Sequence, residues 1–218
     1  MNNIITIFFA VVVLLLLPLL AWVFIHNGLV SKEEAVSSAW GQVESNYQRR
    51  NDLIPVLVES ASRYIKHEVE TLSAVMEQRA KPYTDLQDAV TNLQTTQADS
   101  TNTMQELGGK PPIDEALLSR IAISQEKVFQ GMKGLLAVVE NYPELRSSDQ
   151  FMSLQAQLEG TENRINIARI QFNRAAQAFN AAIRKMPHNL VASANNMGRK
   201  AYFNAEEGAS KAKPLNME

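Results

Sequence analysis

Charged and polar side chains gather at two places in the chain that the helices of a bundle could bring together. They are Arg49, Arg50 and Asp52 in the first half, and Glu159, Glu162, Asn163 and Arg164 in the second half. In an antiparallel helix pair these two stretches lie within a turn or two of each other, with opposite charges facing. We expect an inter-helix ion-pair network that includes Arg50 and Glu162 and fixes the helix register beside Pro55. Solvation of the same groups at the surface is the alternative interpretation.

Residues suited to metal or nucleophilic catalysis are sparse. A di-metal carboxylate site in a bundle needs Glu-x-x-His motifs on two helices and a Glu from each of the other two, whereas this chain has three His and no Cys. We interpret its one cluster, His67 with Glu68 and Glu70, as a solvated helix face. The sequence has neither a Gly-x-Ser-x-Gly elbow nor a Walker-type phosphate loop. We therefore predict no enzymatic activity, no metal and no cofactor.

The charge balance argues against a nucleic-acid partner. The chain has 21 Lys and Arg against 23 Asp and Glu, a formal net charge of −2. A nucleic-acid-binding protein of this size would show a basic face. We expect protein and lipid contacts instead.

The amino end of the chain is apolar enough to cross a bilayer. Residues 4–25 carry no charge, and 22 helical residues span about 33 Å, slightly more than the roughly 30 Å hydrocarbon core. A signal peptide would need a basic start, a shorter apolar core and a small-residue cleavage site, and none is present. We predict an uncleaved transmembrane helix over residues 4–26, behind a short external terminus of residues 1–3. Lys32 is the one basic residue close behind the span and favours a cytoplasmic carboxyl side.

The remaining apolar residues recur at helical spacing, and Gly and Pro are scarce, at nine and eight residues. We predict an all-α fold in which the transmembrane helix is followed by an antiparallel, coiled-coil-like four-helix bundle over residues 31–186. Residues 187–218 are expected to form an extended tail. The predicted helices begin at Ser31, Tyr83, Asp114 and Ser147, and they end at Pro82, at Leu107, before Tyr142 and at Met186.

The first and fourth predicted helices are much longer than the middle pair, which can cover only their membrane-distal half. The uncovered half carries four large aromatic residues that two helices alone cannot enclose. We therefore expect self-association into a homo-oligomer; the alternative is that the carboxyl tail folds back over this stripe. The four aromatic residues are Trp40, Tyr47, Phe172 and Phe179.

Three asparagines, Asn166, Asn173 and Asn180, recur every seven residues beside the apolar seam of the fourth predicted helix. Stripes of this kind are usually solvated. A hydrogen-bonding contact with a neighbouring subunit or a partner helix is the alternative.

Several motifs together resemble the LemA family of bacterial membrane proteins. The resemblance covers nearly the whole chain and departs mainly in residues 82–112. It implies a single-pass inner-membrane protein with a long-helix bundle and a cytoplasmic bulk. It implies no established reaction, although some family members look to be paired genetically with a membrane zinc protease. The motifs are Trp40-Gly41-Gln42-Val43, the stretch from Tyr47 to Pro55, Tyr142-Pro143-Glu144-Leu145, the stretch from Leu158 to Ile165, and Tyr202-Phe203-Asn204.

These observations favour a non-enzymatic, membrane-anchored helical scaffold or adaptor that self-associates and contacts a partner such as a membrane protease. A membrane-tethered sensor or ligand-binding domain is the alternative. A buried pocket ringed by converging polar groups would favour the alternative.

Overall fold

The computed structural model describes residues 2–71, 80–106 and 114–204. Within these ranges the protein consists of helices and connecting segments, without a strand, and the predicted all-α architecture is confirmed. The helices are α1 (Asn2–Thr71), α2 (Ala80–Gln105), α3 (Glu115–Val139), α4 (Pro143–Arg146), α5 (Asp149–Ile183) and α6 (His188–Ala194).

The apolar amino end and the first helix of the bundle form one helix. The 70-residue α1 runs through Pro18 and Pro55 without ending, so the expected helix start at Ser31 is wrong. The reason lies in the apolar pattern, because Leu29 is already fully buried in the bundle core and Ile25 packs against that core. Within the described residues, α1 is the one helix long and apolar enough to cross a membrane, and no described residue of its most apolar stretch is buried within the bundle.

The connections between the middle helices differ from the sequence-based boundaries by a few residues. Pro82 does not end the first helix, because α2 begins at Ala80 and Pro is tolerated in the first turn of a helix. The expected cap at Asp114 is confirmed, with its carboxylate accepting a hydrogen bond from Ala116 N at 3.1 Å. The short helix α4 was not predicted. The Gly-rich and Pro-rich turn at residues 108–112 lies outside the described residues.

The segment after α5 is folded onto the bundle. Residues 188–194 form α6, so the expectation of an extended tail is wrong for them, whereas residues 197–204 are not helical but are docked. Val191 and Ala192 of α6 are buried against the rest of the protein. Beyond α6, Asn196 adopts a left-handed backbone conformation with φ 54°, which Asn tolerates better than most residues. The following residues up to Asn204, here called the tail segment (residues 197–204), lie along α5. Residues 205–218 lie outside the described part of the chain.

Two hydrophobic clusters form the core of the bundle, and each lies along one half of the long α1–α5 pair. The distal cluster, farther from the apolar end of α1, is closed by α2, α3 and α4. The proximal cluster, nearer to that end, is closed by α6, the tail segment and the amino-terminal part of α3. The distal cluster includes Ile54, Leu57, Leu86, Leu135, Phe151 and Leu158. The proximal cluster includes Leu29, Trp40, Tyr47, Leu118, Phe172, Phe179, Val191 and Phe203.

Substitution of Phe203 tests the contribution of the tail segment. Phe203 is buried among aromatic rings, and Phe→Ala changes in cores cost about 3–5 kcal/mol. We expect Phe203→Ala to lower the free energy of unfolding by about 3 kcal/mol, because the tail segment can retract and limit the loss. Urea denaturation of the full chain in detergent, followed by tryptophan fluorescence, measures it.

The matched control is Ile167→Ala on the exposed side of α5, where the side chain is 47% accessible. This change should stay within about 0.5 kcal/mol of the wild type. Equal stabilities for the two variants would contradict docking of the tail segment.

Candidate functional site

A buried arginine occupies the junction between the two hydrophobic clusters. Arg50 of α1 is only 2% exposed, and its Nη1 donates to Glu162 Oε1 of α5 at 2.8 Å. Its Nη2 donates to the backbone oxygen of Gln125 on α3 at 3.1 Å and also to the Gln125 side-chain oxygen. Arg50 therefore links its own helix, α1, to both α3 and α5.

The Gln125 side chain extends this network to the fourth long element. Its Nε2 donates to Ser100 Oγ of α2 at 2.6 Å, and both residues are buried. One turn away, Gln97 Nε2 donates to the backbone oxygen of Asn51 at 2.8 Å. Polar side chains thus connect α1, α2, α3 and α5 at a single level of the bundle, and such buried networks favour one packing arrangement over others.

Only one pair of the predicted ion-pair network meets across the helices. Asp52 accepts a hydrogen bond from Gln48 one turn earlier on α1, and Glu159 accepts one from Gln155 on α5. Helix periodicity explains the outcome, because Arg50 and Glu162 border the α1–α5 contact while the others point outward. The remaining members of the set lie at the surface: Arg49, Asp52, Pro55, Glu159, Asn163 and Arg164.

Two members of the network were missed from the sequence. Gln125 lies on the apolar stripe of α3, four residues after Ile121 and three before Val128, and Ser100 occupies a stripe position of α2. A polar residue at a stripe position must find a hydrogen-bond partner once buried. Polar residues at stripe positions on both α2 and α3 are the signal that could have identified the hydrogen bond between Ser100 and Gln125.

Tyr47 lies one turn before Arg50 and has an unusual environment. Its ring is buried, the Arg50 guanidinium lies 5.5 Å from the ring centroid, and its hydroxyl has no hydrogen-bond partner among the described residues. Burial raises the pKa of the Tyr47 phenol, and the nearby cations Arg169 and Arg50 oppose part of this rise. The hydroxyl is therefore held in its neutral, proton-donating form.

A cavity of about 80 Å³ lies beside Tyr47 and Arg50, between α1, α3 and α5. Three of its lining residues, Ala122, Glu126 and Arg169, also line a wider groove between α3, α5 and the tail segment. The cavity is therefore adjacent to a surface opening. It is lined by Tyr47, Arg50, Ala122, Gln125, Glu126, Phe129, Glu162, Ile165, Asn166 and Arg169.

Two asparagines of α5 bind the backbone of the tail segment. The Asn173 side chain both donates to and accepts from the backbone of Phe203, with each distance 2.9 Å. Asn180 pairs in the same way with the backbone of Lys200, with each distance 2.8 Å. Seven helical residues rise about 10.5 Å and three extended residues about 10 Å, so the two spacings match. For Asn173 and Asn180, the expected solvation and the alternative contact with a neighbouring subunit are therefore both wrong. Asn166, the third asparagine of the series, is exposed.

Three of the four aromatic residues expected to lie bare, Trp40, Phe172 and Phe179, contact the protein's own tail segment. The Phe203 ring stacks on Trp40 at a centroid distance of 6.2 Å and meets Phe172 edge to face at 5.5 Å. Lys200 Nζ contacts Glu33 Oε1 at 2.6 Å and lies over the Phe179 ring. Trp40, Tyr47, Phe172 and Phe179 are each at most 1% exposed. The stated reason for self-association is therefore wrong, and the alternative, that the tail folds back, describes the structure.

Among the described residues, no cluster of His, Asp and Glu side chains has the arrangement of a metal site. The side chains of Glu68 and Glu70, which the sequence groups with His67, lie outside the described part of the structure. The described polar groups at the centre of the bundle instead form a hydrogen-bonded network around Arg50.

The fold and this central network define a class of membrane-associated helical proteins with an apolar helix continuous with a bundle. A model of the LemA family matches residues 39–216, and the chain belongs to that family. The family resemblance of the sequence is thereby confirmed. The match begins beside Trp40 and includes every member of the central network.

Part of the chain is similar to two sets of curated proteins. It is 36% identical over 69 residues to the magnetosome protein MamQ of Magnetospirillum gryphiswaldense. It is 38% identical over 69 residues to magnetosome proteins MamQ 1 and MamQ 2 of Paramagnetospirillum magneticum. Each match covers 32% of this chain and only a quarter of the length of the relative.

The energetic role of the Arg50–Glu162 pair is tested by a double-mutant cycle. Removing one partner of a buried pair leaves an uncompensated charge, so Arg50→Met should lower the free energy of unfolding by about 3 kcal/mol. Glu162→Met should cost less because Glu162 is 18% exposed. The double variant should recover part of the loss, with a coupling of about 1–3 kcal/mol measured by urea denaturation.

The control is the exposed pair Arg63–Glu59 on the same helix, whose atoms lie 2.6 Å apart. The same cycle there should give a coupling within about 0.5 kcal/mol. Strictly additive losses at Arg50 and Glu162 would refute the pairing.

The raised pKa of Tyr47 predicts a loss of stability at alkaline pH. The unfolded chain releases the phenolic proton near the ordinary tyrosine pKa of 10.0, whereas the folded protein retains it to higher pH. The free energy of unfolding should therefore fall as pH rises above 10.0. In Tyr47→Phe this fall should be shallower when denaturation curves are compared across that range, and parallel curves would exclude the effect.

Proposed function

We propose that the protein is a membrane-anchored helical scaffold or adaptor of the bacterial inner membrane, with its bundle in the cytoplasm. The observation that carries the proposal is the continuity of α1, which joins the apolar stretch to the bundle without a linker. A continuous helix holds the bundle at a set height and orientation, whereas a flexible tether would leave both undefined. Such fixed presentation is what an adaptor needs.

The dimensions of α1 support this role. From Asn27 to Thr71 the helix rises about 65 Å at 1.5 Å per residue. The other helices pack along this length, with α5 against α1 and α3 against α2. A partner embedded in the same membrane could therefore contact surfaces from the bilayer edge to the top of the bundle.

The partner surface we propose is the outer face of α5. The proximal aromatic residues are buried within the protein, so they are not free to bind a second protein. Ile167 and Ile170 lie one turn apart on α5, and they are 47% and 53% exposed. Apolar side chains on an otherwise polar helix face suit contact with another protein. The partners we propose are a second copy of the chain and, from the family resemblance, a membrane protease.

Photocrosslinking in intact membranes tests the adaptor role. A benzoylphenylalanine at position 167 or 170 should give crosslinked products of discrete size, because a bound partner lies within reach of the reactive group. The matched control is the same group at Thr95, on the exposed side of α2. The proposal fails if positions 167 and 170 give only the uncrosslinked chain while the protein is folded and membrane-bound.

A membrane-tethered ligand-binding or sensor domain is the second candidate function. It is favoured by the cavity at Tyr47 and Arg50, where polar groups from three helices converge. A pocket with a few convergent polar groups is typical of a binding site for a small molecule.

A further inference from the structure

We propose that the cavity between α1, α3 and α5 binds a small oxyanion, a carboxylate or phosphate species from the aqueous phase. The inference rests on the second candidate function and is independent of the adaptor role. Its test measures occupancy of the cavity, so it can fail without affecting the crosslinking result.

Two residues that line the cavity each carry an unpartnered donor. The Tyr47 hydroxyl and the Arg50 Nε are buried and have no hydrogen-bond partner among the described residues. Buried O–H and N–H groups are nearly always hydrogen-bonded in proteins. Because both groups carry a proton to donate, the missing partner must be an acceptor.

One of the two arginines that line the cavity has no carboxylate partner among the described residues, so it can pair with an anionic acceptor. Arg50 is paired with Glu162 at 2.8 Å, whereas Arg169 forms no ion pair with any described residue, and its guanidinium lies 4.7 Å from the Phe203 ring centroid. The other carboxylate of the lining, Glu126, accepts a hydrogen bond from Gln130 at 2.6 Å. The four charges cancel formally, so recognition comes from converging donors in a site of low dielectric. An oxyanion can accept from Tyr47, Arg50 and Arg169 together.

The size and height of the cavity identify the source of the ligand. A volume of about 80 Å³ accommodates a group of a few heavy atoms, since one water needs about 10–15 Å³. Tyr47 lies 21 residues beyond His26, which is about 30 Å along α1 from the end of the apolar stretch. A lipid headgroup in the bilayer cannot reach this height. A free anion can enter through the groove that shares Ala122, Glu126 and Arg169 with the cavity.

Thermal unfolding of the full chain in phosphate-free, lipid-free detergent micelles tests the proposal. Sodium phosphate and sodium acetate are titrated separately against sodium chloride at constant ionic strength, with tryptophan fluorescence as the readout. At least one of the two anions should raise Tm with a saturable dependence, because a ligand that binds only the folded state stabilises it. A response to both anions no different from that to chloride would overturn the proposal.

Variants separate binding from folding. Tyr47→Phe removes one oxygen, so in anion-free buffer its Tm should equal or exceed that of the wild type, since a buried hydroxyl without a partner is lost. Its half-saturating anion concentration should rise at least tenfold, and Arg169→Gln should weaken binding similarly. Tyr64→Phe and Arg164→Gln, on the same two helices but outside the cavity lining, should respond as the wild type does. A Tyr47→Phe protein with wild-type half-saturation would overturn the proposal.

Vesicles distinguish an aqueous anion from a lipid headgroup. In phosphatidylcholine vesicles and in vesicles containing phosphatidylglycerol, the wild type should show the same dependence on the added anion. If phosphatidylglycerol alone stabilises the wild type but not Tyr47→Phe, and the added anion then has no effect, the aqueous source is wrong.

Discussion

The burial of one guanidinium is the constraint on which the arrangement of this bundle depends. A charged group at 2% exposure must be hydrogen-bonded, and Arg50 obtains its partners from α3 and α5, with Ser100 of α2 bound in turn to Gln125. Sliding α3 or α5 by one turn would remove one of the acceptors of the guanidinium, and sliding α2 would remove the partner of Gln125. The apolar contacts on either side are less selective, because leucine and isoleucine stripes can pack in several registers. The polar network therefore specifies which packing is adopted, while the two clusters supply most of the stabilisation.

The proximal half of the bundle is completed by a different kind of interaction. Here two long helices present aromatic rings, and a short non-helical segment packs Met197, Ala201 and Phe203 against them. The segment is held through its backbone by Asn173 and Asn180, so its position depends on main-chain geometry as much as on side chains. Phe203 then adds the one large ring that Trp40 and Phe172 need. The same protein thus uses helix packing at its distal end and an extended segment at its proximal end.

Periodicity made much of this fold predictable. The stripes of α1, α3 and α5 and the cap at Asp114 follow from local rules, and the antiparallel register brought Arg50 opposite Glu162. The unbroken α1 could have been recognised from Leu29, which continues the stripe backwards across the supposed boundary at Ser31. The docking of residues 197–204 could not have been recognised from the sequence. Hydrogen bonds between asparagine side chains and a backbone leave no apolar periodicity in the docked segment. Likewise, no local rule identifies the cavity at Tyr47, since it arises from the meeting of three helices distant in sequence.

The continuity of α1 also sets an angular relation between membrane and bundle. Each residue of an α-helix turns the chain by about 100°. The number of α1 residues between the apolar stretch and the bundle therefore determines which side of the apolar stretch α5 faces. One residue added near Gly28 would rotate the whole bundle by more than a quarter turn about the axis of α1. Seven added residues would nearly restore the original orientation. The number of residues at this junction therefore fixes which way the bundle faces around the axis of α1.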